Sequence, residues 1–311
     1  MIKVGITGGS SKAAAEIVRL LLNHPDVDIK WVHSEHYAGQ KLSEHMIGLI
    51  GECDMKFVSQ PRWNEIDVLF NCRHTGDTRT FLELSMPLPE NLKIIDLSGD
   101  YRMASEENDF VYGLPELNRK AMVRGAQRVA NPGAFATAVE LALLPLAKNL
   151  LLNGEIHVVA VSGDVTMSDN FKLYKPFTHS HVAEIAQTLS ALQNSYNSEI
   201  VMVPVLGSNS RGLIAAVYLD CSLTIEAVKE LYENFYEDHN FTFIVDHYPE
   251  VKEVLNTNKC ILHLEKHGNK LLITSVIDSL IKGSAGTAVH NMNLLFGLSE
   301  RTGLALKTSS I

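Results

Sequence analysis

The N-terminal stretch 2-IKVGITGGSSKAAAEIVRLLLN-23 decides the fold class of this chain. Its first six residues alternate apolar and small side chains, which is typical of a strand, and GGSS at 8–11 is a turn. Residues 12–23 predict a helix, because apolar side chains recur there at helical spacing, at Ala14, Ile17, Val18, Leu21 and Leu22. His24 and Pro25 end this helix. A strand, a glycine turn and a helix in this order begin a βαβ unit.

The same alternation continues through the first part of the chain and then changes. Apolar strands are predicted at 27–33, 66–71 and 92–97, so the first domain favours a doubly wound parallel sheet. A long apolar helix is predicted at 137–152. Beyond it, strand-like runs outnumber helices, which indicates an α+β domain on a mostly antiparallel sheet. The predicted strands are 157–162, 200–205, 213–219, 241–245, 260–265 and 271–277, and the predicted helices are 182–194, 225–236 and 285–296.

The composition is that of an ordinary globular protein. Of its 311 residues, 46% are hydrophobic and 20% charged, which excludes wholesale disorder and a coiled coil. A net charge of −9 argues against a nucleic acid as the partner. The four cysteines have no C-x-x-C spacing, so we expect neither a zinc site nor a disulfide framework. The chain starts without a signal-like segment and has no apolar run of membrane-spanning length, so we expect a cytoplasmic protein without membrane contact.

The glycine turn is a candidate phosphate-binding loop. Gly5 and Gly8 begin a dinucleotide-binding fingerprint, and Gly9, Ser10 and Ser11 lead into the helix. Glycines let the backbone approach a pyrophosphate, and a helix N-terminus supplies N–H donors and the positive end of a dipole. Ser11 replaces the third glycine of the fingerprint, where its side chain could cap the helix or crowd the phosphate. A plain strand-to-helix turn is the alternative explanation.

The residues at the end of the second predicted strand, Ser34 and Glu35, are candidates for binding a ribose. A carboxylate there can accept hydrogen bonds from ribose hydroxyl groups, and it would repel a 2′-phosphate. The alternative is a solvated surface glutamate.

Several downstream segments are more specific than a single turn. They are 96-DLSGDYR-102, 112-YGLPELNR-119, 131-NPG-133 with 135-FAT-137, 210-SRGL-213 and 282-KGSAGTAVHNMNL-294. On these motifs the chain closely resembles the N-acetyl-gamma-glutamyl-phosphate reductases, enzymes of arginine biosynthesis that are related to aspartate-semialdehyde dehydrogenase. The resemblance runs in order over nearly the whole chain.

The resemblance implies a fold and a reaction. It implies a Rossmann-type NAD(P)-binding domain over 1–132 with 285–311, and an α+β catalytic and dimerisation domain of the semialdehyde dehydrogenase type over 133–284. It implies NADP or NAD as cofactor, an acidic acylglutamyl compound as substrate, and a homodimer or homotetramer. In the family a cysteine thiolate attacks the acyl phosphate, and hydride transfer from the nicotinamide gives the semialdehyde. The family gives no reason to expect a metal.

The resemblance also implies roles for particular residues. His179 would be the acid–base residue, with His181 and Glu184 as its neighbours, and histidine suits proton transfer near neutral pH. The further implied site residues are Asn131, Gly133 and Arg211 for the substrate and Asn291 for the nicotinamide amide. The alternatives are structural: polar caps for the helix at 182–194, an interface arginine and a helix-surface amide.

The chain departs from the family pattern where the chemistry should occur. Ala134 stands where the family has its nucleophilic cysteine, and a methyl group cannot attack a carbonyl carbon. The Gly-rich loop that follows Ser162 in the family is shortened. None of the four cysteines is an obvious substitute, although Cys72, which follows an apolar strand, could face the cofactor cleft. The further departures are Ser11, Glu35, Thr287 and the displaced histidine of 73-RHTG-76.

Two hypotheses follow from these departures. Losses spread over the cofactor, nucleophile and substrate positions favour a divergent, inactive paralogue, which binds a nucleotide or metabolite or assembles with an active partner subunit. The alternative is an active reductase in which a Cys-to-Ala substitution at position 134 traps the substrate. That single substitution would not explain the shortened loop, Ser11 and Glu35 together.

Overall fold

A computed structural model of the chain describes residues 1–163, 170–208 and 211–309. Contacts within the chain divide it into two compact units. The first comprises Met1–Pro132 with Ser284–Ala305, and the second comprises Gly133–Gly283. The described C-terminal residues 306–309 group with the second unit, whereas the sequence led us to expect them in the first.

The described residues form short strands and helices of ordinary length. The first unit contains β1 (Ile2–Thr7), α1 (Lys12–Leu21), β2 (Val27–Val32), α2 (Leu42–His45), β3 (Val68–Asn71), α3 (Thr78–Leu84), β4 (Lys93–Asp96), β5 (Val111–Tyr112), α4 (Pro115–Val123), β6 (Arg128–Ala130) and, from the end of the chain, α8 (Gly286–Leu295). The second contains α5 (Ala134–Lys148), β7 (Ile156–Gly163), β8 (Lys172–Leu173), α6 (Ser180–Leu192), β9 (Ile200–Gly207), β10 (Leu213–Asp220), α7 (Ile225–Tyr236), β11 (Thr242–Val245), β12 (Cys260–His267) and β13 (Lys270–Ile277). None of the helices in this described part of the chain has the length and apolar character needed to cross a bilayer.

The first unit is built on a six-stranded parallel sheet in the order β2-β1-β3-β4-β6-β5. Strand β1 pairs with β2 on one side and β3 on the other, and both pairs are parallel. The chain therefore leaves β1 in one direction and returns on its other side, which places a crevice at the carboxyl ends of β1 and β3. The predicted Rossmann-type sheet is confirmed.

The second unit is built on a seven-stranded sheet in the order β11-β12-β13-β10-β7-β9-β8. The four central strands β12, β13, β10 and β7 are antiparallel neighbours, whereas β9 is parallel to β7 and β11 to β12. Side chains along β7 and β10 alternate between buried and accessible, so one face of the sheet packs on the core. The predicted α+β architecture is confirmed.

The helix after the NPG motif differs from the prediction at both ends. It was predicted over 137–152, but α5 begins at Ala134 and ends at Lys148. Gly133 is extended (φ −78°, ψ 151°) and forms the N-cap, and Leu150 has a positive φ of 59°, which ends the helical path. Because nearly every residue of α5 is buried, its sequence has no polar face that would mark the boundaries.

Helix α5 also contains a proline, which α7 accommodates. Pro145 has no N–H, so the Leu141 carbonyl, four residues earlier, lacks its helical donor. The Tyr236 hydroxyl on α7 donates to this carbonyl at 2.5 Å, and Tyr232 donates to the Ala142 carbonyl at 2.5 Å. A side chain from one helix thus satisfies a backbone group that the other helix leaves open.

A buried polar network joins the carboxyl ends of β1, β3 and β4. The Asn71 amide donates to Asp96 Oδ1 at 2.6 Å and to Thr78 Oγ1 at 2.8 Å, and it accepts from the Thr7 hydroxyl at 2.7 Å. The other Asp96 oxygen accepts from the Ser98 hydroxyl at 2.7 Å. Burial raises the pKa of the Asp96 carboxyl. The network holds together the strand ends that border the crevice.

A buried carboxylate organises one edge of the second sheet. Arg211, just before β10, places Nε 2.8 Å from Asp278 Oδ2, and its Nη2 donates to Oδ1 at 3.1 Å. The same carboxylate accepts from the backbone N–H groups of Asn256 at 2.6 Å and of Leu280 and Ile281 at 2.9 Å. Asp278 is fully buried. It therefore joins the start of β10, the end of β13 and the loop before β12.

Replacing Asp278 should destabilise the protein strongly. Asp278→Asn leaves the Arg211 guanidinium without its partner charge and places an amide among backbone donors, which costs about 3–5 kcal/mol. We expect the thermal midpoint, followed by circular dichroism, to fall by about 5–15 °C. Asp246→Asn is the matched control, because it removes only an exposed pair with Lys229 and should cost less than about 1 kcal/mol. Equal midpoints for the two variants would contradict the central role of Asp278.

Candidate functional site

A cleft of about 180 Å³ lies at the carboxyl ends of β1, β2 and β3 in the first unit. Its walls are the segments 8–11, 33–36 and 72–74, together with Asp77. A parallel sheet of this kind binds its ligands at such a crevice. The structure brings together here six of the predicted cofactor residues: Gly8, Gly9, Ser10, Ser11, Ser34 and Glu35.

The glycine turn is shaped by the close approach of two other backbone segments. Gly8 has a φ of +67°, and a Cβ at this position would lie 2.4 Å from the carbonyl carbon of Cys72. A Cβ on Gly9 would lie 2.8 Å from the carbonyl oxygen of His33. Neither position accepts a side chain unless the backbone moves, so the turn requires glycine at both.

Gly5, which begins the predicted fingerprint, lies inside β1 and does not line the cleft. A Cβ on Gly5 would lie 2.4 Å from the indole of Trp31, which is fully buried. The absent side chain therefore makes room for a large core residue. The structure gives Gly5 a packing role where the sequence predicted a cofactor contact.

Ser11 caps α1 in place of the third glycine. Its backbone is extended, and its hydroxyl accepts from the Ala14 N–H at 3.1 Å. The N–H groups of Lys12 and Ala13, the first two residues of α1, have no acceptor within the helix. These donors and the positive end of the helix dipole suit a phosphate group. The residues of the turn thus fit the pyrophosphate of a dinucleotide.

The wall opposite the glycine turn carries charges of both signs. Arg73 Nη1 lies 3.6 Å from Glu35 Oε1, and the guanidinium carbon lies 4.4 Å from the centre of the Phe81 ring. The imidazole of His33 stacks on the same ring at 6.1 Å. Burial is the main cause that lowers the pKa of His33, so this ring is neutral near pH 7.

Cys72 lines the cleft but does not replace the missing nucleophile. Its side chain is buried, and this burial, reinforced by the charge of Asp96, raises the pKa of the thiol. A thiol that stays protonated is a poor nucleophile. Cys221 and Cys260 are also buried, and Cys53 is partly exposed but does not line the cleft.

Two predicted site residues, Asn131 and Asn291, form a pair of buried amides in the first unit. Asn291 Nδ2 donates to the Gly113 carbonyl at 2.8 Å and to Asn131 Oδ1 at 3.2 Å. Asn131 Nδ2 donates to the Ser284 carbonyl at 3.1 Å, so both polar atoms of the Asn131 side chain are used within the fold. Asn291 Oδ1 is buried without a hydrogen-bond partner among the described residues. It is an acceptor of the kind that a nicotinamide carboxamide requires.

In the second unit, Glu184 holds the start of α5. The Gly133 N–H donates to Glu184 Oε1 at 2.8 Å, and both residues are buried. Ala134 follows as the first helical residue and is partly exposed. Its methyl group packs against Gly283. A Cβ added to Gly283 would lie 2.7 Å from the Ala134 Cβ, so only glycine fits at position 283 without a shift. Position 134 therefore lies at a helix N-terminus, the location that lowers the pKa of a thiol.

His179 caps α6 through its own ring. Nδ1 accepts from the backbone N–H of His181 at 3.1 Å, so the neutral imidazole carries its proton on Nε2. Burial, followed by the charge of Lys175, lowers the pKa of His179. Its ring centre lies 5.2 Å from that of Phe135 in the first turn of α5. Near pH 7 His179 is therefore a hydrogen-bond donor at Nε2, and accepting a proton there requires a tautomer that breaks the cap.

Among the described residues, the surroundings of position 134 offer hydrogen-bond donors for an oxygen atom and no thiol. The donors are Nε2–H of His179 and the first-turn N–H groups of α5, which have no acceptors within the helix. A carbonyl or carboxylate oxygen suits such a set. The methyl group of Ala134 cannot form a covalent intermediate.

The other predicted features concern the substrate side. Arg211 directs two nitrogen atoms at the buried Asp278, which orients its guanidinium. The shortened connection after Ser162 falls mainly at 164–169, outside the described residues, and so does Ser210 of the SRGL motif. Among the residues that the structure describes, no three His, Cys, Asp or Glu side chains group as they would around a metal ion.

Sequence reasoning missed Arg73 and Asp77 as lining residues of the cleft, and it missed Asn71, whose amide joins the strand ends that border the cleft. All three lie at or just after the end of β3, beside the glycine turn. The sequence did contain a signal for them, because residues at the carboxyl end of a strand that neighbours β1 are expected to border the crevice. The 73–76 segment had drawn attention only for its displaced histidine.

The chain matches two protein-family descriptions, one for each unit. Residues 3–124 match the semialdehyde dehydrogenase NAD binding domain, and residues 134–279 match the semialdehyde dehydrogenase dimerisation domain. The predicted NAD(P)-binding domain is confirmed. Two solved structures at 14% identity share the fold: aspartate semialdehyde dehydrogenase II from Vibrio cholerae (TM-score 0.73, over 96% of this chain and 99% of that chain) and aspartate semialdehyde dehydrogenase with NADP from Candida albicans (TM-score 0.75, 95% and 98%).

Curated relatives are much closer in sequence. The N-acetyl-gamma-glutamyl-phosphate reductases of Parabacteroides distasonis and Phocaeicola vulgatus are 50% and 49% identical to this chain, over the full length of both proteins. That of Christiangramia forsetii is 46% identical over 99% of each chain. The first comparison spans 323 positions against 311 residues here, so at least 12 positions of the relative have no counterpart in this chain. At this identity and coverage, the chain belongs to the N-acetyl-gamma-glutamyl-phosphate reductase family.

Proposed function

We propose that the chain binds NAD(P) and an acidic acylglutamyl compound but does not form the covalent intermediate of its family. The observation that carries the proposal is Ala134 at the first position of α5, beside retained hydrogen-bond donors. The family reaction reduces an N-acylglutamyl phosphate to the semialdehyde in arginine biosynthesis, and the bound nicotinamide supplies the hydride. The acyl group is held on a cysteine sulfur during this reaction, and this chain has no sulfur at position 134.

The proposal gives each retained residue a binding or orienting role. The cofactor is assigned to the first unit, Met1–Pro132 with Ser284–Ala305, and the substrate to the second unit, Gly133–Gly283. His179 donates from Nε2 to a substrate oxygen, and Glu184 fixes the donors of α5 through Gly133. Arg211, oriented by Asp278, is the candidate partner of a substrate carboxylate or phosphate. These roles do not depend on a thiol.

An active reductase is the second candidate, favoured by 50% identity over the full length of a relative of that name. It requires a nucleophile at position 134, supplied by the residue that Ala134 replaces. At least 12 positions of the relative have no counterpart in this chain, and a substitution at one residue does not produce such a difference.

We also propose a cytoplasmic location, since dinucleotides and acylglutamyl compounds are metabolites of that compartment. The relatives named above are bacterial reductases of the same class. The proposal includes neither a nucleic acid nor a membrane as a partner.

We further propose that the chain self-associates through the accessible face of the second sheet. Strands β7, β9 and β10 present alternate side chains on this face. They are largely apolar: Val159, Val161, Val201, Val203 and Tyr218. Val159 is 42% exposed and Tyr218 37%. A contiguous apolar face is typical of an interface, and the matching family description names dimerisation. We expect a homodimer or homotetramer, or a mixed assembly with an active subunit.

A cysteine at position 134 should be the most reactive thiol of the protein. In Ala134→Cys the sulfur would stand at the N-terminus of α5 near His179, where the helix dipole lowers its pKa. At pH 6.5 we expect it to react with a disulfide reagent about 10-fold faster than the thiol of Ala191→Cys, an exposed control near the end of α6. Equal rates would contradict the assigned environment.

Turnover of the same variant separates the two candidate functions. With N-acetyl-gamma-glutamyl phosphate and either reduced cofactor, we expect no turnover by the present chain, because it has no covalent route. If Ala134→Cys has a reactive thiol but shows no turnover, the result supports the proposed binding function. Recovered turnover would favour the reductase, and turnover by the present chain would refute the proposal.

Binding of an N-acylglutamate should strengthen as the pH falls. The pKa of His179 is lowered in the free protein, so protonation adds a positive charge beside the ligand only below about pH 6.5. His179→Gln keeps a hydrogen-bond donor but does not titrate. Its affinity for the ligand at pH 8 should stay within about threefold of the parent value, and the increase in affinity at lower pH should disappear. Calorimetric titration of N-acetylglutamate from pH 8 to 5.5 measures this, with His247→Gln, at an exposed position outside the proposed interface, as the control. A rise that survives in His179→Gln would assign the effect to another group.

A charge on the accessible sheet face should separate the subunits. We expect light scattering after size exclusion to give at least twice the monomer mass for the present chain. Val159→Glu places a carboxylate in the proposed interface and should yield the monomer at micromolar concentration. Leu84→Glu, at an 83% exposed position of the first unit, is the control and should leave the mass unchanged. A monomeric parent chain would refute the interface.

A further inference from the structure

We propose that the cleft of the first unit selects NAD(H) over NADP(H), and that Glu35 makes the selection. The inference rests on the NAD(P)-binding role of this unit and concerns only the ribose attached to adenine. The two cofactors differ there by one phosphate group on the 2′ oxygen. The selection therefore depends on the charges that surround this oxygen.

The position of Glu35 places its carboxylate where this ribose binds. In a parallel sheet with this strand order, the pyrophosphate lies at the turn after the first strand, and the adenosine ribose lies beside the end of the second. Glu35 follows the end of β2 and lines the same cleft as Gly8 and Ser11. Its side chain is 70% exposed, so a ligand can reach the carboxylate.

The charges that line the cleft disfavour a second phosphate. Glu35 and Asp77 supply two carboxylates, and Arg73 supplies one guanidinium. Lys12 does not line the cleft, and the lowered pKa of His33 keeps its ring neutral. Two further histidines, His36 and His74, also line the cleft. The carboxylates of the cleft therefore outnumber its guanidinium group before a ligand binds. A 2′-phosphate would bring further negative charge into the cleft.

Arg73 positions Glu35 and is already paired. Its Nη1 lies 3.6 Å from Glu35 Oε1, and the guanidinium packs over the Phe81 ring at 4.4 Å. To bind a 2′-phosphate, Arg73 would have to leave this carboxylate, which would then face the phosphate directly. With the pair kept, the carboxylate can accept hydrogen bonds from the 2′ and 3′ hydroxyl groups of an unphosphorylated ribose.

Titration of the full chain with NADH and NADPH tests the selection. We follow nicotinamide fluorescence and, in parallel, competition between 5′-ADP and 2′,5′-ADP, which probes the ribose site alone. We expect NADH to bind at least about 10-fold more tightly than NADPH. Glu35→Gln should reduce this ratio to about threefold or less, and Glu35→Arg should invert it. Glu52→Gln, an exposed acidic residue outside the cleft, is the matched control and should keep the parent ratio.

The outcomes separate this inference from the function it rests on. Equal affinities, or tighter NADPH binding by the parent chain, overturn the selection but leave NAD(P) binding intact. Binding of neither cofactor and neither ADP overturns both. Arg73→Gln gives an independent test: a loss confined to NADPH would make Arg73 the phosphate-binding residue and overturn the inference, whereas a loss for NADH supports its positioning role. Because Glu35 is exposed, we expect its variants to keep the parent thermal midpoint.

Discussion

The side-chain amide of Asn71 bonds to the ends of β1 and β4 at once, and the shape of the first unit depends on it. Its partners Thr7 and Asp96 are the last residues of those strands, and Thr78 begins α3. All these atoms are buried, so a shift of any strand end would break a hydrogen bond that water cannot replace. The glycine turn begins directly after Thr7. Gly8 therefore passes close to the backbone of Cys72, which follows the end of β3. Hydrogen bonds within the protein thus hold in place the strand ends that border the cleft.

Carboxylates have the corresponding role in the second unit. Glu184 accepts from the backbone at the start of α5, and Asp278 accepts from three backbone N–H groups and an arginine. Each fixes a turn by accepting bonds from main-chain donors, and neither contact requires a thiol at position 134. The groups around that position therefore keep their arrangement when the nucleophile is absent. In the proposed function, these contacts let the chain bind its substrate without the covalent step.

The sequence predicted the elements whose signal is local. The spacing of apolar residues was enough to predict the strand, turn and helix of residues 2–23. The family motifs located the histidines and the NPG turn. The ends of α5 were not predictable from the pattern, because a helix buried on all sides has no polar stripe. Gly5 could not be distinguished from a phosphate-binding glycine, since only the fold places Trp31 against it.

Other features depend on contacts between distant segments. The pairing of Arg211 with Asp278 joins positions 67 residues apart, and no local pattern announces it. The tautomer of His179 follows from the cap that its ring forms on α6, so the sequence alone could not indicate the donor role that we propose for Nε2. The sequence placed Cys72 near the cofactor cleft, but only the fold shows its burial, which raises the pKa of its thiol.

The contact between Tyr236 and the carbonyl opposite Pro145 restricts how this protein can diverge. If the tyrosine hydroxyl were lost first, Leu141 would retain a buried carbonyl without a donor, at a cost of about 1–3 kcal/mol. This cost is a large share of the free energy of unfolding of a typical protein, which is only about 5–15 kcal/mol. If the proline changed first, the new N–H would satisfy the carbonyl, and the tyrosine would then be free to vary. Lineages of this family should therefore pass through the two substitutions in one order, with the proline replaced before the tyrosine.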